Sequence, residues 1–160
     1  MPAVGDLVPD AGVMINTDDG PRPASSRELL GSGVVLLVGV PGAFTPVCSD
    51  FHLPGLVFSA EEIVAKGVAR IAVVSVNDAF VMSAWGDESG IGGEFLMVAD
   101  PDANFTKAMG LDTDASDFGL GVRSERYAAL LRDGVITSLD VEKKFVDHDV
   151  TSAEAVLARL

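Results

Sequence analysis

The chain has 160 residues, of which 48% are hydrophobic and 22% are charged, a composition typical of a folded globular protein rather than a disordered one. This length suits one unit with a sizeable core, so we expect a single domain over residues 1–160. The formal net charge of -13 disfavours nucleic acid and anionic membrane surfaces as partners, because like charges repel as two molecules approach each other.

The apolar runs are short. The longest, "GVVLLVGV" at 33–40, is far below the roughly 18 residues that a membrane-spanning helix needs, so it predicts a buried strand and no membrane partner. The N-terminus, "MPAVGDLVPD", lacks the basic start and apolar core of a secretory signal. We therefore predict a cytoplasmic protein.

The N-terminal segment predicts extended structure with a turn at "DDGP", residues 18–21. A short helix at 25–30 follows, in which Ser25 and Glu28 have the spacing of a capping box. The uninterrupted apolar run at 33–40 is typical of a strand that is covered on both faces of its sheet.

Residues 49–67 carry apolar side chains at helical spacing, and Pro54 predicts a kink or break in that helix because proline has no N–H to donate. The elements predicted next are a buried strand at 69–76, a helix at 78–89 opened by Asn77 or Asp78, a strand at 94–100 and a helix at 101–111 ended by Gly110. This alternating order implies parallel neighbouring strands joined by right-handed crossovers.

Residues 112–125 are polar and glycine-rich, which predicts a loop. Two β runs at 126–142 flank an Asp-Gly pair at 133–134, a strong hairpin signal. The C-terminal "TSAEAVLARL" predicts a helix opened by Thr151, with Glu154 three residues later. Parallel units followed by a hairpin and a last helix predict an α/β fold of thioredoxin type, with a mixed central β-sheet flanked by helices.

Cys48 is the only cysteine, so it cannot form an intrachain disulfide, and redox chemistry would require an external partner. A free cysteine is often only a small buried apolar group. However, Cys48 follows a buried strand and lies at the predicted first turn of a helix, where backbone amides and the helix dipole stabilise a thiolate. The carboxyl ends of parallel strands are also where α/β folds place their sites, so this position favours a reactive thiol.

Two neighbours of Cys48 have alternative roles. Thr45 lies three residues before Cys48, and its hydroxyl can turn toward the sulfur or cap the helix. His52 lies one helical turn after Cys48, which leaves open a cysteine hydrolase or half of a metal site, although we favour a structural role because a hydrolase also needs an orienting third group. His148 has no ligand spacing to join His52, so we predict neither a metal nor a cofactor.

The stretch "VPGAFTPVCSDFHLPG" resembles the active-site segment of the peroxiredoxins, most closely that of the type II, or five-like, subfamily. The subfamily pattern Pro-x-x-x-Thr-x-x-Cys is filled by Pro41, Thr45 and Cys48, and the His-Leu-Pro-Gly that follows is also a subfamily feature. The segments "SVNDAFVMSAWG", "ADPDANFTKAMGL" and "RSERYAALLRDGVITSLDVE" resemble later blocks of the subfamily in the same order. The resemblance thus covers most of the chain.

The resemblance implies a thiol peroxidase on a thioredoxin-like fold. Cys48 would be the peroxidatic cysteine, which attacks hydrogen peroxide or an alkyl hydroperoxide and becomes a sulfenic acid. Thr45 would hydrogen-bond in the thiolate–peroxide arrangement, and Pro41 would shield the sulfur from water. Arg126 would stabilise the thiolate and polarise the peroxide bond, with Arg123 as the runner-up for that role.

Many subfamily members carry a second, resolving cysteine, but this chain has none. The resemblance therefore implies a one-cysteine mechanism in which glutathione with glutaredoxin, thioredoxin or another low-molecular-weight thiol reduces the sulfenic acid. It also implies a homodimer that forms near the active-site loop. The alternative that stays open is a redox-responsive sensor or binding protein, in which Cys48 is oxidised stoichiometrically without turnover.

Overall fold

The computed structural model describes residues 1–144 and 146–160, and within them seven strands form one mixed sheet. The strands of this sheet are β1 (Gly12–Thr17), β2 (Gly20–Ser25), β3 (Val34–Gly39), β4 (Arg70–Ser75), β5 (Phe95–Ala99), β8 (Tyr127–Arg132) and β9 (Val135–Val141). Their order across the sheet is β2-β1-β5-β4-β3-β8-β9. Two further strands, β6 (Asp112–Asp114) and β7 (Val122–Ser124), pair with each other as a separate antiparallel ribbon.

The helices lie on both faces of the sheet. They are α1 (Ser26–Leu30), α2 (Leu53–Phe58), α3 (Ala60–Ala65), α4 (Ala79–Ser89), α5 (Asn104–Ala108) and α6 (Ala153–Leu157), with a π-helix at Cys48–His52 and a 3-10 helix at Ser116–Phe118. Side chains of α2, α3, α4 and α6 pack in one apolar cluster, and those of α1 and α5 pack in a second cluster. Within the described part of the chain, every helix is too short or too polar to cross a membrane.

The central strand β3 is buried on both faces. Leu36 and Val38 belong to one apolar cluster while Val35 and Leu37 belong to the other, because successive side chains of a strand point to opposite faces. β3 pairs in parallel with β4 and antiparallel with β8, and β4 pairs in parallel with β5. The predicted doubly covered strand, the parallel β3–β4–β5 unit and the mixed sheet flanked by helices are confirmed.

Three local signals are also confirmed. The Ser25 hydroxyl caps α1 by accepting from the Glu28 N–H, and the Asp78 carboxylate caps α4 by accepting from the Val81 N–H. The β8–β9 hairpin turns at Asp133 and Gly134, with φ of 49° and 82°. Positive φ at both central residues is what a two-residue turn requires to match the twist of its strands.

The single helix predicted at 49–67 is wrong. The segment forms the π-helix, α2 and α3, with a break at Ser59 that the sequence did not indicate. The change from π-helix to α-helix falls next to Pro54, as the predicted kink requires. Pro54 lies in the first turn of α2, where a helix does not need the missing N–H.

Two further predictions in the last third are wrong. The stretch 112–125 is not only a loop, because it forms the β6–β7 ribbon around the 3-10 helix. The last helix is capped by Ser152, whose hydroxyl accepts from the Ala155 N–H, and not by Thr151. The Thr151 hydroxyl donates instead to Oε1 of Glu142, so it does not cap α6.

Candidate active site

Cys48 lies where the chain leaves the carboxyl end of β3 and becomes helical. Helical backbone begins at Pro46, and Cys48 is the first residue of the π-helix. The Leu53 N–H donates to the Cys48 carbonyl, which is the i to i+5 bond of a π-helix, a feature often found at functional sites. The Cys48 side chain is 0% exposed, so the sulfur is held in a defined position inside the protein.

Arg126 reaches Cys48 because of the pairing of β3 with β8. Gly39, the last residue of β3, pairs with Tyr127, the first residue of β8, so Arg126 lies next to the segment that follows β3. Nη2 of Arg126 donates to the Cys48 sulfur at 3.1 Å, and the arginine is 1% exposed. A guanidinium is a charged donor of the kind from which a thiolate accepts hydrogen bonds.

His52 lies on the other side of the guanidinium. Nη1 of Arg126 lies 2.8 Å from His52 Nδ1, and His52 Nε2 lies 3.0 Å from the Thr151 carbonyl oxygen. A guanidinium only donates and a carbonyl only accepts, so Nδ1 is the acceptor and Nε2 carries the proton of a neutral imidazole. Burial lowers the pKa of His52 well below its usual 6.5, and the positive charge of Arg126 lowers it further.

This geometry bears on the alternatives for His52. Both of its ring nitrogens are engaged, one by Arg126 and one by the Thr151 carbonyl, so neither is aimed at the sulfur of Cys48. The arrangement does not favour the cysteine hydrolase. Within the described residues, no group of three or more His, Cys, Asp or Glu side chains is placed to hold a metal ion.

Thr45, Pro41 and Arg126 share one cavity. It has a volume of about 370 Å³, and it is lined by Pro41, Thr45, Pro46, Val47, Phe118, Leu120, Arg126 and Val146. The Thr45 hydroxyl donates to the Gly42 carbonyl at 2.6 Å, so its proton is engaged there and not by the sulfur. The oxygen of Thr45 therefore remains an acceptor for a group that enters the cavity.

Arg123, the runner-up, is placed differently. Its guanidinium donates to the carbonyls of Leu120, Val76 and Pro41 at 2.9, 3.1 and 3.4 Å. These bonds join the β6–β7 ribbon to the loops that follow β3 and β4. Arg123 thus braces the active-site loop, while Arg126 contacts the sulfur of Cys48.

Sequence reasoning missed two groups behind Arg126. His148 packs its ring against His52 with centroids 4.9 Å apart, and burial together with the charge of Arg126 lowers the pKa of His148. Glu142, at the end of β9, is only 5% exposed. The one available signal was His148 in "VDHDV", which has no spacing that relates it to Cys48.

The site combines a thiol held at the start of a helical segment, a buried guanidinium that contacts its sulfur, and an apolar cavity beside them. Together these features define a cysteine-dependent redox enzyme on a thioredoxin-like sheet. Comparison with known proteins identifies the family. Residues 3–157 match the model of the Redoxin family.

Individual relatives match nearly the whole chain. Peroxiredoxin-2B of Arabidopsis thaliana is 44% identical over 159 residues, which cover 99% of this chain and 98% of that protein. Peroxiredoxin-2E-2, chloroplastic, of Oryza sativa subsp. japonica is 45% identical over 163 residues, 99% of this chain and 72% of that protein. The crystal structure of reduced Prx3 in complex with hydrogen peroxide from Vibrio vulnificus superposes with a TM-score of 0.92 at 48% identity, covering 99% of each chain.

The chain therefore belongs to the peroxiredoxin family. It is an antioxidant thiol peroxidase, whose substrates are a peroxide and a reducing thiol. The thioredoxin-like fold and the type II resemblance are confirmed, and the single cysteine fits a one-cysteine member.

Proposed function

We propose that Cys48 is the peroxidatic cysteine and that Arg126, Thr45 and Pro41 complete the site. The observation that carries the proposal is the 3.1 Å contact between Arg126 Nη2 and the Cys48 sulfur. The thiolate attacks one oxygen of hydrogen peroxide or an alkyl hydroperoxide, so an S–O bond forms as the O–O bond breaks. The leaving oxygen takes a proton and departs as water or an alcohol, and Cys48 becomes a sulfenic acid.

Each of the three neighbouring residues has a separate role in the proposed reaction. Arg126 stabilises the thiolate and the negative charge that develops on the leaving oxygen. Thr45 accepts a hydrogen bond from the peroxide O–H, because its own proton is engaged by the Gly42 carbonyl. Pro41, which is buried and lines the cavity, excludes water from the sulfur.

Reduction of the sulfenic acid requires thiols from outside the chain, because Cys48 is the only cysteine. A first thiol condenses with the sulfenic acid to give a mixed disulfide and water, and a second thiol attacks that disulfide and releases Cys48 as a thiol. Glutathione with glutaredoxin, thioredoxin or another low-molecular-weight thiol can supply these electrons. A reducing compartment such as the cytoplasm fits this requirement.

A homodimer is also part of the proposal. Phe44, in the active-site loop, is 51% exposed, and Phe118, at the cavity, is 63% exposed. Large apolar side chains exposed beside a functional site are typical of protein interfaces. Sedimentation velocity tests this point, since a monomer at all concentrations would contradict it.

The decisive experiment oxidises the reduced protein with one equivalent of hydrogen peroxide in a stopped-flow instrument. We expect a rapid burst of one peroxide per chain and, by mass spectrometry with a sulfenic-acid trap, modification of Cys48. The Cys48→Ser variant is the matched control and should lose the burst while keeping the wild-type circular dichroism spectrum. Oxidation only at the slow rate of free cysteine would contradict the proposal.

A panel of reductants with excess peroxide then tests the catalytic cycle. Sustained turnover with a thiol reductant is the expected result, because each cycle returns Cys48 to the thiol form. A single oxidation followed by no turnover with any reductant would favour the redox-responsive sensor instead.

A further inference from the structure

Glu142 is a buried carboxylate directly behind the active site. Its backbone N–H donates to the Arg126 carbonyl at 2.9 Å, which places Glu142 opposite Arg126 at the end of the β8–β9 pair. Its Oε1 accepts three hydrogen bonds, from the Asp149 N–H at 2.7 Å and from the Thr151 N–H and hydroxyl at 2.9 Å each. Glu142 therefore holds both the backbone and the side chain of Thr151 in place through hydrogen bonds.

Thr151 is the start of a chain of contacts that ends at the sulfur. Its carbonyl accepts from His52 Nε2 at 3.0 Å, His52 Nδ1 accepts from Arg126 Nη1 at 2.8 Å, and Arg126 Nη2 donates to Cys48 at 3.1 Å. The carbonyl and the guanidinium together fix the tautomer and the position of His52. In the other tautomer, an N–H of His52 would face an N–H of Arg126, and the two donors would repel each other.

We propose that Glu142 is a positioning residue for peroxide reduction. By fixing Thr151, it holds His52 in the tautomer that accepts from Arg126, and so it keeps the guanidinium on the sulfur of Cys48. The inference rests on the proposed roles of Cys48 and Arg126. Glu142 is not among the described residues that line the cavity. Its effect on the reaction therefore reaches the sulfur through Arg126.

A positioning role and a merely stabilising role differ in what they change. Removal of the carboxylate leaves two backbone amides and a hydroxyl without their acceptor, which lowers stability under either role. Only the positioning role changes the tautomer of His52, the pH at which Cys48 ionises and the peroxide rate of the folded protein.

The test compares the wild type with Glu142→Ala and Glu142→Gln, with Asp140→Asn as the control. Asp140 is a carboxylate in β9, two residues before Glu142, and it pairs with Arg159 at 3.2 Å instead of with Thr151. The measurements are the nitrogen-15 chemical shifts of the His52 ring, the thiolate titration of Cys48 and the second-order rate constant with hydrogen peroxide. Thermal unfolding, measured separately, reports stability.

In Glu142→Ala we expect a mixture of His52 tautomers, a thiolate titration displaced to higher pH and a rate constant reduced about tenfold or more. Glu142→Gln keeps an oxygen acceptor and should recover most of the wild-type tautomer, thiolate titration and rate constant. Asp140→Asn should match the wild type. A folded Glu142→Ala variant with the wild-type tautomer and a rate within about twofold of wild type would overturn the inference.

If Glu142→Ala does not fold, Glu142→Asp decides. Its carboxylate is one methylene shorter and should fail to hold Thr151, giving the same tautomer mixture and rate loss, while wild-type behaviour would overturn the inference. The tautomer measurement uses no peroxide. A wild type without the rapid peroxide burst would therefore contradict the proposed function, independently of the outcome for Glu142.

Discussion

Arg126 and Arg123 lie three residues apart and bind different parts of the active site. Replacement of Arg126 by alanine removes the donor to the Cys48 sulfur. Loss of the nearest positive charge should make the thiolate form at higher pH, and we expect the peroxide rate constant to fall about a hundredfold. Thiolate ultraviolet absorbance and competition kinetics measure the two effects.

Arg123→Ala is the matched control. Its guanidinium binds backbone carbonyls of the loops, so its loss should leave the thiolate titration of Cys48 unchanged and should lower the stability of the β6–β7 ribbon. If Arg123→Ala displaced the titration and Arg126→Ala did not, the role assigned to Arg126 would pass to Arg123.

His52 makes the stability of the fold depend on pH. Its pKa in the folded protein is well below 6.5 because of burial first, and because of the charges of Arg126 and His148. In the unfolded chain, His52 binds a proton near pH 6.5, so its contribution to the free energy of unfolding is fully present above that pH. This contribution is lost as the pH falls from 6.5 toward the pKa of the folded protein, by up to about 1.4 kcal/mol per pH unit.

Urea unfolding of wild type and His52→Gln between about pH 5 and 8 measures this contribution. The difference between their free energies of unfolding should be constant above about pH 6.5 and should narrow below it. His148→Gln is the comparison. Because the ring of His148 is only half-buried, its removal should change the pH slope of the unfolding free energy less than the removal of His52. Equal slopes in wild type and His52→Gln would contradict the lowered pKa of His52 in the folded protein.

The residues proposed for the site could be named from the sequence. Pro41, Thr45 and Cys48 are close in sequence, the resemblance to a family supplied Arg126, and of these only Arg126 has a direct contact with the sulfur. The bond from His52 to Arg126 could not be predicted, because it depends on strand pairing that joins residues 74 apart in the chain. Glu142 carries no sequence signal, since its role comes from the path of the segment that follows β9.

At the scale of elements, the alignment of β3 with β8 places Arg126 on Cys48. It also places the Tyr127 ring over Gly39, where an added Cβ would lie 2.1 Å from the ring carbon Cε1. Gly39→Ala should therefore cost about 1–3 kcal/mol of unfolding free energy and displace Tyr127. Because Tyr127 adjoins Arg126, the peroxide rate constant should fall as well.

Gly12→Ala, at the start of β1, is the control for that substitution. A Cβ there meets no atom within 4 Å, so the unfolding free energy should change by no more than about 0.5 kcal/mol. Urea denaturation and stopped-flow kinetics apply to both variants. Equal stability of the two variants would show that Tyr127 moves aside without cost.

The strands and longer helices could be predicted because their apolar patterns have a period or an unbroken run. The β6–β7 ribbon was missed because three-residue strands in a polar segment show no alternation. The π-helix was missed because one wider turn leaves the helical pattern of residues 49–67 nearly unchanged. The cap of α6 was missed because Thr151 and Ser152 are equivalent by type, and only Glu142 distinguishes them.

At the scale of the whole molecule, the net charge of -13 acts on the second substrate. Two aspartates are sequence neighbours of residues that line the cavity: Asp117 precedes Phe118, and Asp147 follows Val146. We therefore expect a thiol that approaches the proposed sulfenic acid of Cys48 to meet a negative potential. Hydrogen peroxide is uncharged, so its approach to the site does not depend on that potential.

Reduction of oxidised Cys48 should accordingly depend on the charge of the thiol. At low salt we expect cationic cysteamine to react about tenfold faster than anionic mercaptopropionate, with neutral mercaptoethanol between them, after correction for the thiolate fraction of each. The differences should vanish near 1 M salt, where the screening length is about 3 Å. The double variant Asp117→Asn, Asp147→Asn locates the source of the effect. If the rate constants of the three thiols differ less in this variant than in wild type, these two carboxylates cause the effect. If they differ as much, the charge of the whole surface causes it. Equal rates for all three thiols at low salt would contradict the prediction, because a negative potential at the site must slow an anion relative to a cation.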